Sequence, residues 1–373
     1  MSEVVHKVTM PKWGLSMQEG TVVAWLVDEG AEVAAGDEIV EIETEKLNNV
    51  FEAPVGGVLR RQVAGVGTTL PVGGLIGVIA GSDATDAAIE SLVAQFEADF
   101  VPEAVAAEGP VPQQMEIGGR RINYLVMGDG AATPLLLIHG FGGDLTTWMF
   151  NQSALAETRP VIALDLPGHG ASDKQVGAGD VPAFAEIVLG LLDDLAIDRA
   201  HLAGHSLGGA VALELALVNS GRIASLALLA PAGLGREIDG DYIARFIAAD
   251  RRKAAKEVLG HLVHDPALVS RDMVENLLRY KRTDGVGEAL SKIADAVFDE
   301  GGQAISYGDR LGDVAAPILC LWGADDAIIP PKHAAALPKT AEIHVLDDAG
   351  HLLQMEQASA VNGFIDAFVS TSE

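Results

Sequence analysis

The first eighty residues contain one pattern written twice. GTVVAWLVDEGAEVAAGDEIVEI, from Gly20, and GVLRRQVAGVGTTLPVGGLIGVI, from Gly57, align at a shift of 37 residues (57 − 20). That shift sets Gly20 on Gly57, Leu26 on Val63, Gly30 on Gly67 and Val33 on Leu70, then Gly36 on Gly73, Ile39 on Ile76 and Ile42 on Ile79. Recurring glycines suit turns that need a positive φ, and the aliphatic residues between them suit the inner faces of short strands. Neither half can bury its own apolar face, so the two are expected to pack as a small all-β sandwich with approximate two-fold symmetry. Lys46 stands alone between the strand-like runs IVEIET and NNVFEAPV. The same shift carries it to Thr9 or Asp83, beside the ends of the module. Its hairpin is therefore expected at the end away from the chain's exit, where a tethered module exposes a group to be carried. A lysine at a hairpin tip is, taken alone, more often only a solvated charge.

The stretch MPKWGLSMQEGTVVAWLVDEGAEVAAGDEIVEIETEKLNNVFEAPVGGVLRRQVAGVGTTLPVGGLIGVIA resembles a lipoyl domain of the acyltransferase subunits of 2-oxo acid dehydrogenase complexes, over residues 4–80. The family's hairpin usually reads Asp-Lys-Ala, and here it reads Glu45-Lys46-Leu47. Related biotin carriers set methionines on both sides of the lysine, and none stand here. The resemblance implies that Lys46 carries lipoate in amide linkage, attached by a lipoylating enzyme.

At 373 residues, 49% of them apolar, the chain is long enough for two domains and is globular in composition. No apolar run approaches the ~18 residues of a membrane span, and MSEVVHKVTM lacks the apolar stretch of a signal peptide. The single cysteine, Cys320 in ILCLW, excludes an internal disulfide and a thiolate metal cluster, which suits the reducing cytoplasm. A net charge of −28 argues against nucleic acid as a partner, since a polyanion would be repelled. No metal site and no membrane contact are expected.

Residues 81–114 carry seven acidic side chains and no Lys or Arg, and Pro102, Pro110 and Pro112 mark an extended linker. Within it Ile89, Leu92, Val93, Phe96 and Phe100 recur at helical spacing. That amphipathic helix is expected either to dock a partner subunit or to pack on the chain's own second domain.

From residue 115 buried strands alternate with helical stretches. The runs PLLLIHG, PVIALDLPG, AHLAGHSLGG, IASLALLAPAG, APILCLWG and AEIHVLDDAGH read as parallel strands covered on both faces, in a doubly wound α/β sheet. MEIGGRRINYLVMG reads as an antiparallel hairpin at one edge. Gly204-His205-Ser206-Leu207-Gly208 has the form G-x-S-x-G between a strand and a helix. That form makes a tight elbow which lifts a serine hydroxyl above the sheet. An acid and a histidine follow in the expected order. Asp326 stands three residues past Gly323, with Asp325 as the fallback, and His351 follows the last strand-like run. Such a histidine serves as general base while the aspartate holds its tautomer. Upstream, His139-Gly140-Phe141-Gly142-Gly143 places the Phe141 N–H to form an oxyanion hole with that of Leu207. His139 reads as structural, and a catalytic role for His169 is not expected. Residues 115–370 resemble the α/β-hydrolase fold with a complete Ser-His-Asp set, and a helical cap is expected at about 233–312. The expected division is thus 1–80 lipoyl domain, 81–114 linker and 115–373 catalytic domain.

The H-x-x-x-D-G motif of the usual acyltransferases is absent. A lipoyl domain fused to an α/β hydrolase resembles the acetyltransferase subunits of bacterial acetoin dehydrogenase complexes. This implies transfer of acetyl from S-acetyldihydrolipoyl-lysine to coenzyme A as co-substrate. The implied partners are thiamine diphosphate-dependent subunits that load the arm and a flavin-dependent dihydrolipoamide dehydrogenase. Ser206 would either accept the acetyl covalently or hydrogen-bond the intermediate while His351 deprotonates the thiol. Two other classes compete: a thioesterase or esterase whose lipoyl domain is a tether, and a scaffold with an idle triad. Ten of the 25 basic residues fall between Arg236 and Arg282, including Arg251, Arg252 and Lys253. These three are candidates for the phosphates of coenzyme A. They also read as steering for the acidic lipoyl domain, or as a surface paired with Asp250, Glu257 and Glu275.

Overall fold

The computed structural model describes residues 5–11, 17, 19–44, 48–81, 84–100 and 110–372. The chain forms two compact units, Met1–Val111 and Pro112–Glu373.

Among its described residues the first unit holds eight strands: β1 (Val5–Thr9), β2 (Glu19–Trp25), β3 (Glu32–Val33), β4 (Glu38–Glu43), β5 (Asn48–Glu52), β6 (Gly57–Gln62), β7 (Thr69–Pro71) and β8 (Leu75–Ala80). They make two four-stranded sheets, ordered β1-β8-β6-β3 and β5-β4-β2-β7. The repeat carries β2 onto β6, β3 onto β7 and β4 onto β8. With β5 standing for β1, one sheet order becomes the other. The symmetry extends to the core, where Val22 and Leu59, Ile39 and Ile76, and Ile42 and Ile79 are all fully buried. It extends also to close approach. A Cβ on Gly20 would sit 2.8 Å from Cγ2 of Ile42, and one on Gly57 would sit 2.9 Å from Cγ2 of the equivalent Ile79. Each half thus brings a bare backbone onto the same isoleucine. The β4–β5 ladder runs as far as Glu43 opposite Asn48. Lys46, in the four-residue connection that follows, lies outside the described residues.

The linker helix rests on a surface that neither expectation named. Helix α1 (Asp86–Asp99), capped by Thr85, packs on the first unit. Ile89 is buried with Val78, Ala80 and Ala84, and Leu92 and Val93 lean on the same patch. Arg60 donates to Gly81 O at 3.2 Å, to Ala84 O at 2.8 Å and to Asp86 at 2.8 Å. The apolar stripe was legible, but its partner is the outer side of β8, where Val78 and Ala80 face away from the inner core.

The second unit begins with β9 (Gln113–Ile117) and β10 (Arg120–Met127), followed by β11 (Leu135–Ile138), α2 (Gln152–Leu155), β12 (Val161–Leu164), α3 (Val181–Asp194), β13 (Ala200–His205), α4 (Leu207–Val218) and β14 (Ile223–Leu229). After β14 come four cap helices, α5 (Gly240–Ala248), α6 (Arg252–Gly260), α7 (Arg271–Lys281) and α8 (Val286–Val297), and a two-strand ribbon, β15 (Phe298–Asp299) with β16 (Gly302–Gln303). The core resumes with β17 (Ile318–Gly323), β18 (Glu342–Leu346), α9 (Leu353–Glu356) and α10 (Ala358–Thr371). The eight-stranded sheet has the order β18-β17-β14-β13-β11-β12-β10-β9. Its neighbours are parallel except at β10, which pairs antiparallel with both β9 and β12. The fold is that of an α/β hydrolase, doubly wound with a helical cap. Strands β11 to β14 and β17 are buried throughout. Strand β18 is not: as the edge strand it leaves Ile343 40% and Val345 51% exposed. Among the described residues no further strand pairs with its free edge. Among the described residues no helix is long and apolar enough to cross a membrane.

Candidate active site

Strand β13 ends at His205, and α4 starts at Leu207, which leaves Ser206 one residue in which to turn the chain. Its backbone takes φ 52° and ψ −115°, a strained conformation for a residue with a Cβ. The turn is possible because its flanks are bare. A Cβ on Gly204 would lie 2.3 Å from Gly208 O, and one on Gly208 would lie 2.2 Å from Ile138 O. Ser206 therefore stands at the amino end of α4, where aligned peptide dipoles favour negative charge.

Asp326 sits past β17 with its side chain fully buried. Its Oδ1 accepts the N–H groups of Ile328 at 2.8 Å and Ile329 at 2.9 Å. Its Oδ2 accepts Trp322 Nε1–H at 3.0 Å and faces His351 Nδ1 at 2.8 Å. Burial alone would raise this carboxyl's pKa, but the His351 charge and hydrogen bond, with the two backbone donors, bring it below the ordinary value. Asp325 faces elsewhere. Its side chain is half exposed and meets His264 Nδ1 at 2.8 Å. With Nδ1–H of His351 given to Asp326, Nε2 is left to exchange a proton.

The loop after β11 supplies the opposite wall. His139 Nε2 accepts Leu166 N–H at 2.9 Å, and His169 Nε2 accepts Gly142 N–H at 3.1 Å. Each ring then donates from Nδ1, His139 to Gly140 O at 2.7 Å and His169 to Pro167 O at 3.1 Å. Burial lowers both pKa values, His169 far below the usual range, so both rings are neutral props. This leaves Phe141 between two pinned neighbours. Among the described residues the N–H groups of Phe141 and Leu207 have no hydrogen-bond partner. Sequence reasoning set both histidines outside the chemistry and missed that His169 holds the loop. His205, too, went unassigned. Its Nε2–H donates to His351 O at 2.9 Å, and burial followed by the His351 charge lowers its pKa to about 3.

Ser206, Leu207, Phe141 and His351 open on one cavity of about 210 Å³. The cap closes it with Tyr242, Phe246, Met273, Leu277 and Tyr280, so the walls are mostly apolar. Arg251, Arg252 and Lys253 do not line it. Arg251 lies 3.8 Å from Asp250, Arg252 lies 2.7 Å from Glu275, and Lys253 lies 3.9 Å from Glu257. These are the acids that the paired-surface reading named.

The model of the α/β-hydrolase fold family matches residues 133–358, and that of the biotin-requiring enzymes, which describes biotin and lipoyl attachment domains, matches 6–79. A dihydrolipoyllysine-residue acetyltransferase component of the acetoin cleaving system from Pseudomonas putida is 50% identical over 98% of both chains. The component of the same description from Cupriavidus necator is 44% identical, over 98% of this chain and 97% of its own. This chain belongs to their family. Among solved structures, a meta-cleavage product hydrolase from Pseudomonas fluorescens IP01 shares the fold of the second unit. It has a TM-score of 0.64 and 23% identity over 70% of this chain and 98% of its own. The 2-hydroxy-6-oxo-6-phenylhexa-2,4-dienoate hydrolase of Rhodococcus sp. strain RHA1 gives a TM-score of 0.63 and 26% identity over 69% and 97%. The acetyltransferase family thus uses, in its second unit, a scaffold shared with hydrolases.

Proposed function

We propose that this chain moves an acetyl group from S-acetyldihydrolipoyl-lysine to coenzyme A within an acetoin-cleaving complex, using Ser206, His351 and Asp326. The observation that carries the reading is the near full-length likeness to acetyltransferase components, joined to a serine elbow and His351 on one cavity, with Asp326 behind the histidine. Lys46 is the lipoate attachment site in this reading. The β4–β5 ladder leaves residues 44–47 to connect two paired strands, and a primary amine in that connection fits an amide-linked arm. Lipoate, once attached, supplies a thiol that holds acetyl as a thioester.

Ser206 Oγ attacks the thioester carbonyl while His351 Nε2 takes its proton, and Asp326 stabilises the imidazolium. The N–H groups of Phe141 and Leu207 take the developing oxyanion. His351 passes its proton to the departing sulfur. It then takes the proton of the coenzyme A thiol and returns it to Oγ as the acetyl leaves the serine. The tight turn at Ser206 sets it at the amino end of α4, where this route begins. The cap walls keep the acyl-serine from water. The partners in this reading are a thiamine diphosphate-dependent component and a flavin-dependent dihydrolipoamide dehydrogenase, in the cytoplasm.

The test is partition. With S-acetyldihydrolipoamide as donor, the purified chain should form acetyl-coenzyme A far faster than it releases acetate. Acetate release that is fast and indifferent to coenzyme A would make it a thioesterase instead.

A further inference from the structure

The segment after α6 runs back over the loop that carries His351. Leu262 O accepts the N–H of His351 at 2.8 Å and that of Leu352 at 3.1 Å. Glu356, one turn further on, reaches both partners. Its Oε1 accepts Gly350 N–H at 3.0 Å and its Oε2 accepts His264 N–H at 2.6 Å. Contact between the two backbones is tight. A Cβ on Gly350 would lie 2.8 Å from His264 N, from Leu262 O and from the carbonyl carbon of Val263.

We propose that Glu356 is a positioning residue that clamps the cap segment Leu262–His264 onto the His351 loop, so that the aim of the general base depends on a seated cap. The inference rests on His351 acting as the base of the acetyl transfer. Three of the four bonds fix the backbone of residues 350–352, and one of these three is made by Glu356. Its fourth bond ties the same carboxylate to the cap. From the other side His205 holds His351 O and Asp326 holds its Nδ1, leaving the ring little freedom. Burial raises the Glu356 carboxyl's pKa, and the N–H groups of His264 and Gly350 oppose that rise, as fits an acceptor for both. Around the clamp, His264 faces Asp325 at 2.8 Å and Asp348 at 3.8 Å, so its own ring is engaged outside the cavity. An apolar residue at position 356 would leave two N–H groups short of acceptors and free the loop from the cap.

The experiment is steady-state transfer by the full lipoylated chain carrying Glu356→Ala or His351→Ala, with proton NMR of the His351 Nδ1–H. The clamp requires Glu356→Ala to lower kcat at least tenfold, with KM for coenzyme A changed less than twofold. It also requires the low-field resonance of the Nδ1–H bonded to Asp326 to broaden or vanish in a chain that stays folded. Full kcat and an unchanged resonance in Glu356→Ala, beside an inactive His351→Ala, overturn the clamp alone. An active His351→Ala overturns the reading on which it rests. Should Glu356→Ala unfold at the assay temperature, Glu356→Gln takes its place, since it keeps the volume and one acceptor. A smaller loss confined to kcat then supports the clamp, and wild-type kcat sinks it.

Discussion

Asp325 and Asp326 are adjacent in the chain and face different histidines, which makes them a sharp test of the site at the scale of one residue. Asp326→Asn leaves the shape in place but offers His351 the wrong tautomer, and should cost about 10⁴-fold in kcat, as in other triads. Asp325→Asn touches only the half-exposed His264 and should stay within about twofold of wild type. Equal losses at both positions would remove Asp326 from the chemistry. Ser206→Ala and His351→Ala should each abolish most transfer, and the double variant should be little worse, because groups that act as a unit lose their effect together. Kinetics of the four variants and the double variant decide both points. Ser206, His351 and Asp326 stood out in the sequence because spacing and chain order are one-dimensional. The props did not. Trp322 reads as one more apolar residue of ILCLW, and only the folded chain turns its indole N–H onto Asp326. Nothing in the spacing of Leu262 or Glu356 indicates that they meet across the His351 loop.

At the scale of elements, the cap and the linker helix each carry a prediction. Lys281, at the end of α7, donates to Ile247 O at 2.7 Å and to Phe246 O, the carbonyls that end α5. Burial lowers its pKa to about 8. An unfolded lysine titrates near 10.4, so between about pH 8 and 10 the unfolded chain holds more protons and stability rises with pH. The stability of wild type relative to Lys281→Met should therefore increase from pH 8 to 10, as followed by denaturant unfolding. A flat difference would mean that the amine is not desolvated. Helix α1 has a simpler test. Ile89→Ala removes a buried side chain from a four-residue patch and should cost the first unit roughly 2 kcal/mol, the low end for such truncations. No change in its unfolding midpoint would detach the helix from β8. The helix itself was legible from its period. Its resting place was not, because an apolar stripe states that a surface is needed and not which one. The edge position of β18 escaped for a similar reason: Ile343 and Val345 look like core residues until the strand order sets them at the margin.

For the whole molecule, the repeat and the G-x-S-x-G elbow are separate signals, and each specified its own unit. The symmetric pairs Val22 and Leu59, Ile39 and Ile76, and Ile42 and Ile79 show why the first was so readable: each buried position is stated twice. The alternating apolar runs made the second readable because a sheet covered on both faces needs unbroken apolar strands. How the two act together lies in chemistry rather than in pattern, and the reaction can be run backwards to test it. Thioester exchange is close to balanced, so the reduced, lipoylated chain incubated with acetyl-coenzyme A should acquire an acetyl group on the Lys46 arm. Intact-mass and peptide analysis of wild type, Ser206→Ala and Lys46→Arg reads the result directly. The account predicts one acetyl group on the Lys46 peptide in wild type, none on that peptide in Lys46→Arg, and a rate lower by orders of magnitude in Ser206→Ala. Acetylation of the arm at the wild-type rate in Ser206→Ala, or release of all the acetyl as acetate with none on the arm, would contradict it.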